Sequence, residues 1–189
     1  MIIGITGKSG SGKSYLSKII ANKLDAQHID IDKISHEILS LSETISFVKQ
    51  EFGDGVFENN QINRKKLGKI AFNNNEKLIK LNKFCQIQIE KKLDEIISSA
   101  NKIIILDYAL LCGLKHFELC DVKILLVTDF ETRFARASKR ENISRKYFLS
   151  RDKSIDEFKS INFDFIFNNI SNEQIENLVL DLKIRSEHD

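Results

Sequence analysis

One stretch near the amino terminus decides the fold: GKSGSGKS at residues 7–14. The apolar run IIGIT at residues 2–6 precedes it and predicts a buried strand. Residues 15–24 follow it, and they are apolar at positions 16, 19, 20 and 24, a spacing that predicts an amphipathic helix. A strand, a G-x-x-x-x-G-K-S loop and a helix in this order predict a phosphate-binding loop.

The residue types of this loop suit a nucleoside triphosphate. Glycines permit a tight turn whose backbone N–H groups face phosphate oxygens, and the next helix directs its positive dipole end at the same anion. Lys13 is predicted to contact the β- and γ-phosphates, and the Ser14 hydroxyl is predicted to bind Mg²⁺. The residues predicted here to bind the triphosphate are Gly7, Ser9, Gly10, Ser11, Gly12, Lys13, Ser14 and Tyr15.

Length and composition restrict the class of protein. The chain has 189 residues, 42% of them hydrophobic, which suits one α/β domain with an insertion. A net charge of +2 gives no signature of a nucleic-acid partner. The three cysteines lack metal-ligand spacing, and no apolar run approaches the roughly 20 residues of a membrane span. We therefore expect a cytoplasmic protein without membrane or nucleic-acid partners. A monomer is expected, with an oligomer left open as the alternative.

Two predicted strands end in acidic residues: QHIDID at 27–32 and KIIILD at 102–107. Ligands of open α/β sheets bind beyond the carboxyl ends of the strands. Asp32 is therefore predicted to accept the proton of the attacking substrate hydroxyl, or to help hold the metal. The alternative is that Asp32 only caps the next helix. Asp107 has the position of a Walker-B acid, and whether Asp30 or Asp107 contributes to the metal site is left open.

Residues 45–100 differ from the rest of the chain, because helical patterns rich in lysine and glutamate alternate there with asparagine-rich turns. We predict that this segment is a helical, acceptor-binding insertion in a single P-loop domain covering 1–189. The core of that domain would be residues 1–44 and 101–189. Arg64, in the insertion, is predicted to bind an anionic substrate.

Arginines are concentrated in the last third of the chain. The predicted helix 130–139 carries Arg133 and Arg136, and Arg140 follows at a spacing of four, so that one face presents three guanidinium groups. We predict a small lid at about 137–155. Arg136, immediately before the lid, and Arg140, within it, would bind the triphosphate, and Arg140 would stabilise the charge that develops on the transferred phosphoryl group. The alternative is an ordinary surface helix on which Asp129 and Glu131 are the partners of the arginines.

The predicted elements alternate regularly along the chain. Besides the strands already described, 122–128 and 163–167 predict further strands, and 173–184 predicts a closing helix. Five strands alternating with helices predict a parallel three-layer α/β/α sandwich. The letters NKLD at 22–25 match a guanine-reading motif, but they lie on the first helix and no D-x-x-G occurs in the chain. A P-loop small-molecule kinase, an ATP-dependent phosphotransferase, accounts for the pattern better than a guanine-nucleotide switch.

The ordered motifs resemble the dephospho-CoA kinase family over nearly the whole chain. HIDID at 28–32 is similar to the I-D-x-D segment of that family, and NRKKL at 63–67 is similar to its N/D-R-x-x-L pattern. DFIFNN at 164–169 looks like the D-f-v-i-x-N segment near adenine, where Asn169 would contact the nucleotide. The resemblance implies transfer of the ATP γ-phosphate to the ribose 3′-hydroxyl of dephospho-CoA, with Mg²⁺, and with Asp32 as base and substrate ligand.

Some positions depart from this family pattern. QI at 86–87 stands where the family has H-P, and ALLCG at 109–113 stands where it has P-L-L-F-E. The departures lie mainly on the acceptor side and at the adenine edge. Two alternatives therefore stay open: a nucleoside or nucleotide kinase with a different acceptor, and an ATP-binding regulatory module without catalysis.

Overall fold

The computed structural model describes residues 1–152 and 158–187. It divides into two compact units. The sheet unit comprises Met1–Asp30 and Ser99–Asp189, and the helical unit comprises Ile31–Ser98. The predicted insertion at 45–100 stays a prediction, and positions 153–155 of the predicted lid lie outside the described residues.

The strands and helices follow one another along the described chain in the order β1 Ile2–Gly7, α1 Lys13–Leu24, β2 Gln27–Asp30, α2 Ile31–Glu37, α3 Ser42–Phe52, β3 Phe57–Glu58, β4 Gln61–Ile62, α4 Arg64–Phe72, α5 Asn75–Ser99, β5 Ile104–Asp107, β6 Val122–Val127, α6 Phe130–Glu141, α7 Arg145–Asp152, β7 Phe165–Asn168 and α8 Asn172–Ser186. Short 3₁₀ turns occupy Ile38–Ser40, Asp54–Val56, Leu111–Gly113, Lys115–Phe117 and Phe158–Ser160.

The sheet unit contains a five-stranded parallel sheet in the order β2-β5-β1-β6-β7. β1 lies at its centre, with Ile5 opposite Asp107 of β5 and Gly7 opposite Leu126 of β6. Central strands of a parallel sheet are buried on both faces, which explains the continuous apolar runs of the sequence. The predicted parallel α/β fold is confirmed.

One face of this sheet packs on the first and last helices. Ile3 and Ile5 of β1 form a buried cluster with residues of α1 and α8: Leu16, Ile20, Leu178 and Leu182. Ser171 and Gln174 form a capping box that fixes the start of α8. The packing of α1 in this core holds its amino-terminal end at the loop after β1.

The helical unit has its own core. Val48, Phe52, Val56, Leu67 and Ala71 are buried together. The strands β3 and β4 form a hairpin in which Asn59 and Asn60 both have positive φ, the conformation that a two-residue type I′ turn requires. Its helices and hairpin give this unit a separate apolar cluster.

The second strand is shorter than the sequence indicated. β2 ends at Asp30, and Asp32 lies in the first turn of α2, so the prediction of a strand that extends to Asp32 is wrong. In the sequence, Ile31 alternates with Asp30 and Asp32 as a strand residue would. In the structure it begins a series at helical spacing, Ile31, Ile34 and Ile38, all of which are buried. Burial of that series places the helix start immediately after Asp30.

The long helix α5 is rich in charged residues. It covers Asn75–Ser99, and only Gln88, Ile89 and Leu93 among its described residues are buried. In the parts of the chain that the structure describes, no helix combines the length and the apolar character needed to cross a bilayer.

Candidate active site

The loop between β1 and α1 has the backbone geometry of a phosphate cradle. Gly10 and Gly12 have φ values of 80° and 101°, in the left-handed region that glycine tolerates. Gly12 is the residue before α1, and among the described residues no side chain caps this helix. Backbone N–H groups at an uncapped helix start are donors for an anion.

Two glycines of the loop also allow close approach of other backbone segments. A Cβ on Gly10 would lie 2.5 Å from the carbonyl oxygen of Arg133, and a Cβ on Gly7 would overlap the carbonyl oxygen of Leu126. The P-loop is therefore in direct contact with the end of β6 and with α6, and no larger residue fits at Gly7 or Gly10 without displacement.

Polar groups of the loop are poised for an anionic ligand. Ser11 is 5% exposed, and its hydroxyl has no hydrogen-bond partner among the described residues. The side chain of Lys13 is buried in the cradle, with Nζ 3.4 Å from the carbonyl oxygen of Lys8. An unsatisfied buried hydroxyl is costly unless a ligand engages it. These residues fit a triphosphate.

Ser14 and Tyr15 lie in the first turn of α1 and are exposed. The Ser14 hydroxyl is an oxygen donor of the kind that Mg²⁺ prefers. Within residues 1–152 and 158–187, no group of three or more His, Cys, Asp or Glu side chains could hold a metal ion.

Asp107 ends β5 beside the P-loop strand. Its carboxylate is 3% exposed, and Oδ2 lies 3.2 Å from Nε2 of His28 on β2. Asp30 lies opposite Asp107 in the register of β2 and β5. The predicted position of a Walker-B acid at the carboxyl end of a central strand is confirmed, while its role stays a prediction.

Arg133, on α6, is buried against the P-loop. Its Nε donates to the carbonyl oxygen of Thr128 at 2.9 Å, and Nη1 donates to that of Ser9 at 3.4 Å. The same guanidinium binds the carboxylate of Asp152 through two hydrogen bonds of 2.5 and 2.9 Å. Two parallel N–H···O bonds of this kind are the strongest geometry of an Arg–carboxylate pair.

Asp152 is the last residue of α7. The hydrogen bonds from Arg133 lower the pKa of its carboxyl group, and the positive charges of Arg133 and Lys8 lower it further. The Lys8 ammonium lies 3.8 Å from Oδ2 of Asp152. Asp152 therefore joins the end of α7 to both α6 and the P-loop.

The remaining arginines of this region have different surroundings. Arg136 is exposed, and its Nη1 lies 3.3 Å from the carbonyl oxygen of Gly10. Arg140 is exposed and is paired with Glu141, its neighbour in sequence. The structure thus brings Arg136 to the P-loop, whereas its described contacts do not connect Arg140 to that loop.

Three predicted site residues lie elsewhere in the two units. Asn169 follows β7 with positive φ, and its N–H donates to the carbonyl oxygen of Val127. Asp32 in the first turn of α2 and Arg64 at the start of α4 belong to the helical unit, and both are exposed. Their roles stay predictions.

The sequence did not single out the partners of two site residues. Asp152 is 19 positions from Arg133, and His28 is 79 positions from Asp107. The helical spacing of Arg133 and Arg136 was a usable signal for their shared face. No local pattern indicated which carboxylate would meet Arg133.

A glycine-rich loop between a central parallel strand and a helix, with an arginine of α6 on the loop, defines a P-loop kinase. Residues 1–174 match the sequence model of the dephospho-CoA kinase family. The dephospho-CoA kinase of Fusobacterium nucleatum is 36% identical over 150 residues, which are 77% of this chain and 76% of that protein. The dephospho-CoA kinase of Carboxydothermus hydrogenoformans is 37% identical over 156 residues, which are 79% of this chain and 75% of that protein.

A solved structure supports the same assignment. The dephospho-CoA kinase of Campylobacter jejuni is 26% identical and superposes with a TM-score of 0.64, covering 96% of this chain and 94% of that one. The chain therefore belongs to the dephospho-CoA kinase family, as the sequence motifs predicted, and it is an ATP-dependent kinase of coenzyme A biosynthesis.

Proposed function

We propose that the chain transfers the γ-phosphoryl group of Mg-ATP to the ribose 3′-hydroxyl of dephospho-CoA. The observation that carries this proposal is the family match over residues 1–174, which includes the P-loop, Asp32 and the arginines of α6. The geometry of the sheet unit supports its nucleotide half, and the motifs of the helical unit support its acceptor half.

On the nucleotide side, the backbone of residues 7–14 and the Lys13 ammonium bind the phosphates. Arg136 lies on the loop and is placed to contact the same charge. Arg140 would reach the transferred group when the lid at about 137–155 closes over ATP. Asn169, at the end of β7, would contact the adenine.

Mg²⁺, when bound with ATP, neutralises charge on the β- and γ-phosphates. Ser14 would hold it through its hydroxyl, and Asp107 or Asp30 would assist through bound water. The protein's own contribution is to keep these oxygen groups at the carboxyl ends of β5 and β2 and at the start of α1.

On the acceptor side, Asp32 accepts the proton of the 3′-hydroxyl as that oxygen attacks phosphorus. General-base catalysis of this kind contributes typically about 10²- to 10⁴-fold to the rate. Asp32 is an exposed residue in the first turn of α2. Arg64, also exposed, binds an anionic group of the acceptor.

We also propose that the protein acts as a cytoplasmic monomer with two small-molecule substrates. Sedimentation of the purified chain with and without ATP measures its oligomeric state: a mass of 21.8 kDa supports a monomer, and a larger species contradicts it.

A panel of acceptors with γ-labelled ATP tests the proposed reaction. Dephospho-CoA, adenosine, AMP and deoxyadenosine are each supplied with Mg-ATP, and Lys13→Ala serves as the inactive reference. Label transfer to dephospho-CoA far above all other acceptors supports the proposal. Preferred transfer to a nucleoside or nucleotide supports a different kinase, and ATP binding without transfer to any acceptor supports a regulatory module.

A further inference from the structure

Arg133 of α6 contacts the P-loop through both its backbone and its side chain. The carbonyl oxygen of Arg133 occupies the space beside Gly10 that any Cβ would need. Its side chain also donates a hydrogen bond to the carbonyl oxygen of Ser9. Arg133 also donates to the carbonyl oxygen of Thr128, whose hydroxyl donates to the carbonyl oxygen of Ser11 at 3.2 Å. One side chain thereby connects α6 to the loop at two places.

Arg136 lies one turn further along the same helix. Residues three apart on a helix share a face, so the position of Arg133 determines where Arg136 projects. Nη1 of Arg136 is 3.3 Å from the carbonyl oxygen of Gly10 and would be 3.8 Å from a Cβ on Gly12. The guanidinium therefore stands beside Gly10 and Gly12, two glycines of the proposed phosphate cradle. A shift of α6 by about 1 Å would be enough to misplace it.

The environment of Arg133 keeps this attachment rigid. Its side chain is 5% exposed, and the rings of Phe130 and Phe148 lie 5.8 and 5.7 Å from its guanidinium carbon. A buried cation requires a partner, and Asp152 supplies the matching charge. The carboxylate is in turn close to Lys8 of the P-loop. Asp152 therefore stabilises the arrangement from α7.

We propose that Arg133 is a positioning residue for ATP: held by Asp152, it fixes α6 against the P-loop so that Arg136 meets the nucleotide phosphates. This inference rests on the proposed function only in taking ATP as the ligand. It assigns to Arg133 an effect on nucleotide binding that acts through Arg136. A purely structural ion pair between α6 and α7 would have no such effect.

A second ion pair between the same helices provides a matched control. Arg145 of α7 binds Glu131 of α6 with N–O distances of 2.7 and 2.5 Å, and both side chains are more than half exposed. This pair connects α6 to α7 as the Arg133 pair does, but its described contacts do not include the P-loop. Glu131→Gln removes it without changing the groups around the phosphates.

A double-mutant cycle on ATP affinity tests the proposal. Equilibrium binding of Mg-ATP is measured for the wild type, Arg133→Gln, Arg136→Ala and the double variant, without any acceptor. Loss of one charged hydrogen bond predicts about 10- to 100-fold weaker binding for Arg136→Ala. Arg133→Gln is expected to weaken binding by a similar factor. The double variant is expected to be no more than about twofold weaker than Arg136→Ala, because the two residues act through one contact.

The competing outcomes are distinct. If the losses of the two single variants multiply in the double variant, or if Arg133→Gln lowers the melting temperature and leaves ATP affinity unchanged, the positioning role is wrong. Should Arg133→Gln fail to fold, Asp152→Asn replaces it in the cycle. That variant keeps Arg133 but removes the charge of its carboxylate partner. It must lower ATP affinity less than is expected for Arg133→Gln, and it must cause no further loss in the Arg136→Ala background.

The cycle also separates this proposal from the proposed acceptor. Because ATP binding is measured without dephospho-CoA, a chain that phosphorylates another acceptor still gives the non-additive result if Arg133 positions Arg136. Glu131→Gln is expected to bind ATP like the wild type. Equal losses in Glu131→Gln and Arg133→Gln would show that any loosening of α6 from α7 weakens binding, and would overturn the specific role of Arg133.

Discussion

The imidazole of His28 and the carboxylate of Asp107 connect two neighbouring strands, with Nε2 3.2 Å from Oδ2. Asp30 is opposite Asp107 in the register of β2 and β5, and His28 lies two residues before Asp30. The side chains of His28 and Asp107 therefore lie on the same face of the sheet. Contact with His28 keeps the buried carboxylate of Asp107 at the carboxyl ends of the strands, where parallel sheets bind ligands.

Replacement of Asp107 tests its part in metal use. We expect Asp107→Asn to raise the Mg²⁺ concentration for half-maximal kinase rate by about tenfold, because an amide interacts with a hydrated cation less strongly than a carboxylate does. His28→Gln removes the imidazole and keeps the acid, and a smaller rise is expected. Initial rates measured against Mg²⁺ at fixed ATP give both values. An unchanged midpoint in Asp107→Asn would restrict this acid to a structural role.

Removal of the Lys13 ammonium is expected to weaken ATP binding strongly. Lys13→Ala deletes a buried charge from the phosphate cradle, and we expect a loss of about 100-fold or more in kcat/KM for ATP. Lys18→Ala is the matched control, because Lys18 is an exposed lysine on the same helix. Steady-state kinetics of both variants provide the comparison. Equal values for Lys13→Ala and Lys18→Ala would argue against the cradle as the phosphate site.

Asp32→Asn is expected to separate catalysis from nucleotide binding. The amide cannot accept the proton of the acceptor, so kcat should fall by about 10²- to 10⁴-fold. The Kd for ATP should stay within about twofold, because the P-loop is unaltered. Glu37→Gln, on the same helix, controls for a change of charge on α2. Full turnover by Asp32→Asn would exclude Asp32 as the base.

The ion pair of Asp152 predicts a pH-dependent contribution to stability. Because Arg133 lowers the pKa of Asp152 below its ordinary value of 3.8, the ionised carboxylate is favoured in the folded chain. Its contribution is present above about pH 4 and is lost as the pH falls through the lowered pKa. We expect Asp152→Asn to lower the free energy of unfolding by about 1–2 kcal/mol at pH 7, less than for a fully buried pair.

Urea unfolding of the wild type and Asp152→Asn between pH 3 and 7 measures this contribution. The difference between the two curves should shrink towards the acid end of the range. Glu131→Gln, which removes an exposed pair, should unfold like the wild type at pH 7. A difference that stays constant down to pH 3 would contradict the assignment to the ionised carboxylate.

Two of the thiols are expected to react slowly. Burial raises the pKa of Cys85 to about 11 and that of Cys120 to about 12, from an ordinary value of 9.0. The thiolate is the reactive form, so alkylation at pH 8 should be at least about tenfold slower in the folded chain than in urea. Peptide mass mapping after timed iodoacetamide treatment identifies each site. Equal rates in the folded and unfolded chain would contradict this expectation.

Local sequence patterns were enough to predict the fold and the position of the phosphate-binding loop. The strand before Gly7 and the helix after Gly12 follow from apolar runs and helical spacing that a few neighbouring residues determine. The arginine face of α6 follows from spacings of three and four. These features need no knowledge of distant parts of the chain. The structure agrees with the strand and the helix, and it brings Arg133 and Arg136 to the P-loop, whereas the described contacts of Arg140 do not reach that loop.

Distant contacts and competing periodicities were not predictable in the same way. The segment from Ile29 to Asp32 satisfies strand alternation, but burial of Ile31 with Ile34 and Ile38 selected a helix. The pairing of Arg133 with Asp152 depends on how α7 folds back on α6, and no short motif encodes that return. Tertiary packing therefore decided the features that sequence periods left ambiguous.

The product formed from Mg-ATP and dephospho-CoA tests the central claim most directly. Mass spectrometry of the reaction with purified protein, followed by ³¹P NMR, identifies both the added group and the atom that carries it. We expect dephospho-CoA to gain one phosphoryl group on its ribose 3′-oxygen, with ADP formed in equal amount. Unmodified dephospho-CoA in a reaction where the same protein binds ATP, or a phosphoryl group on any other atom, would contradict the proposed function.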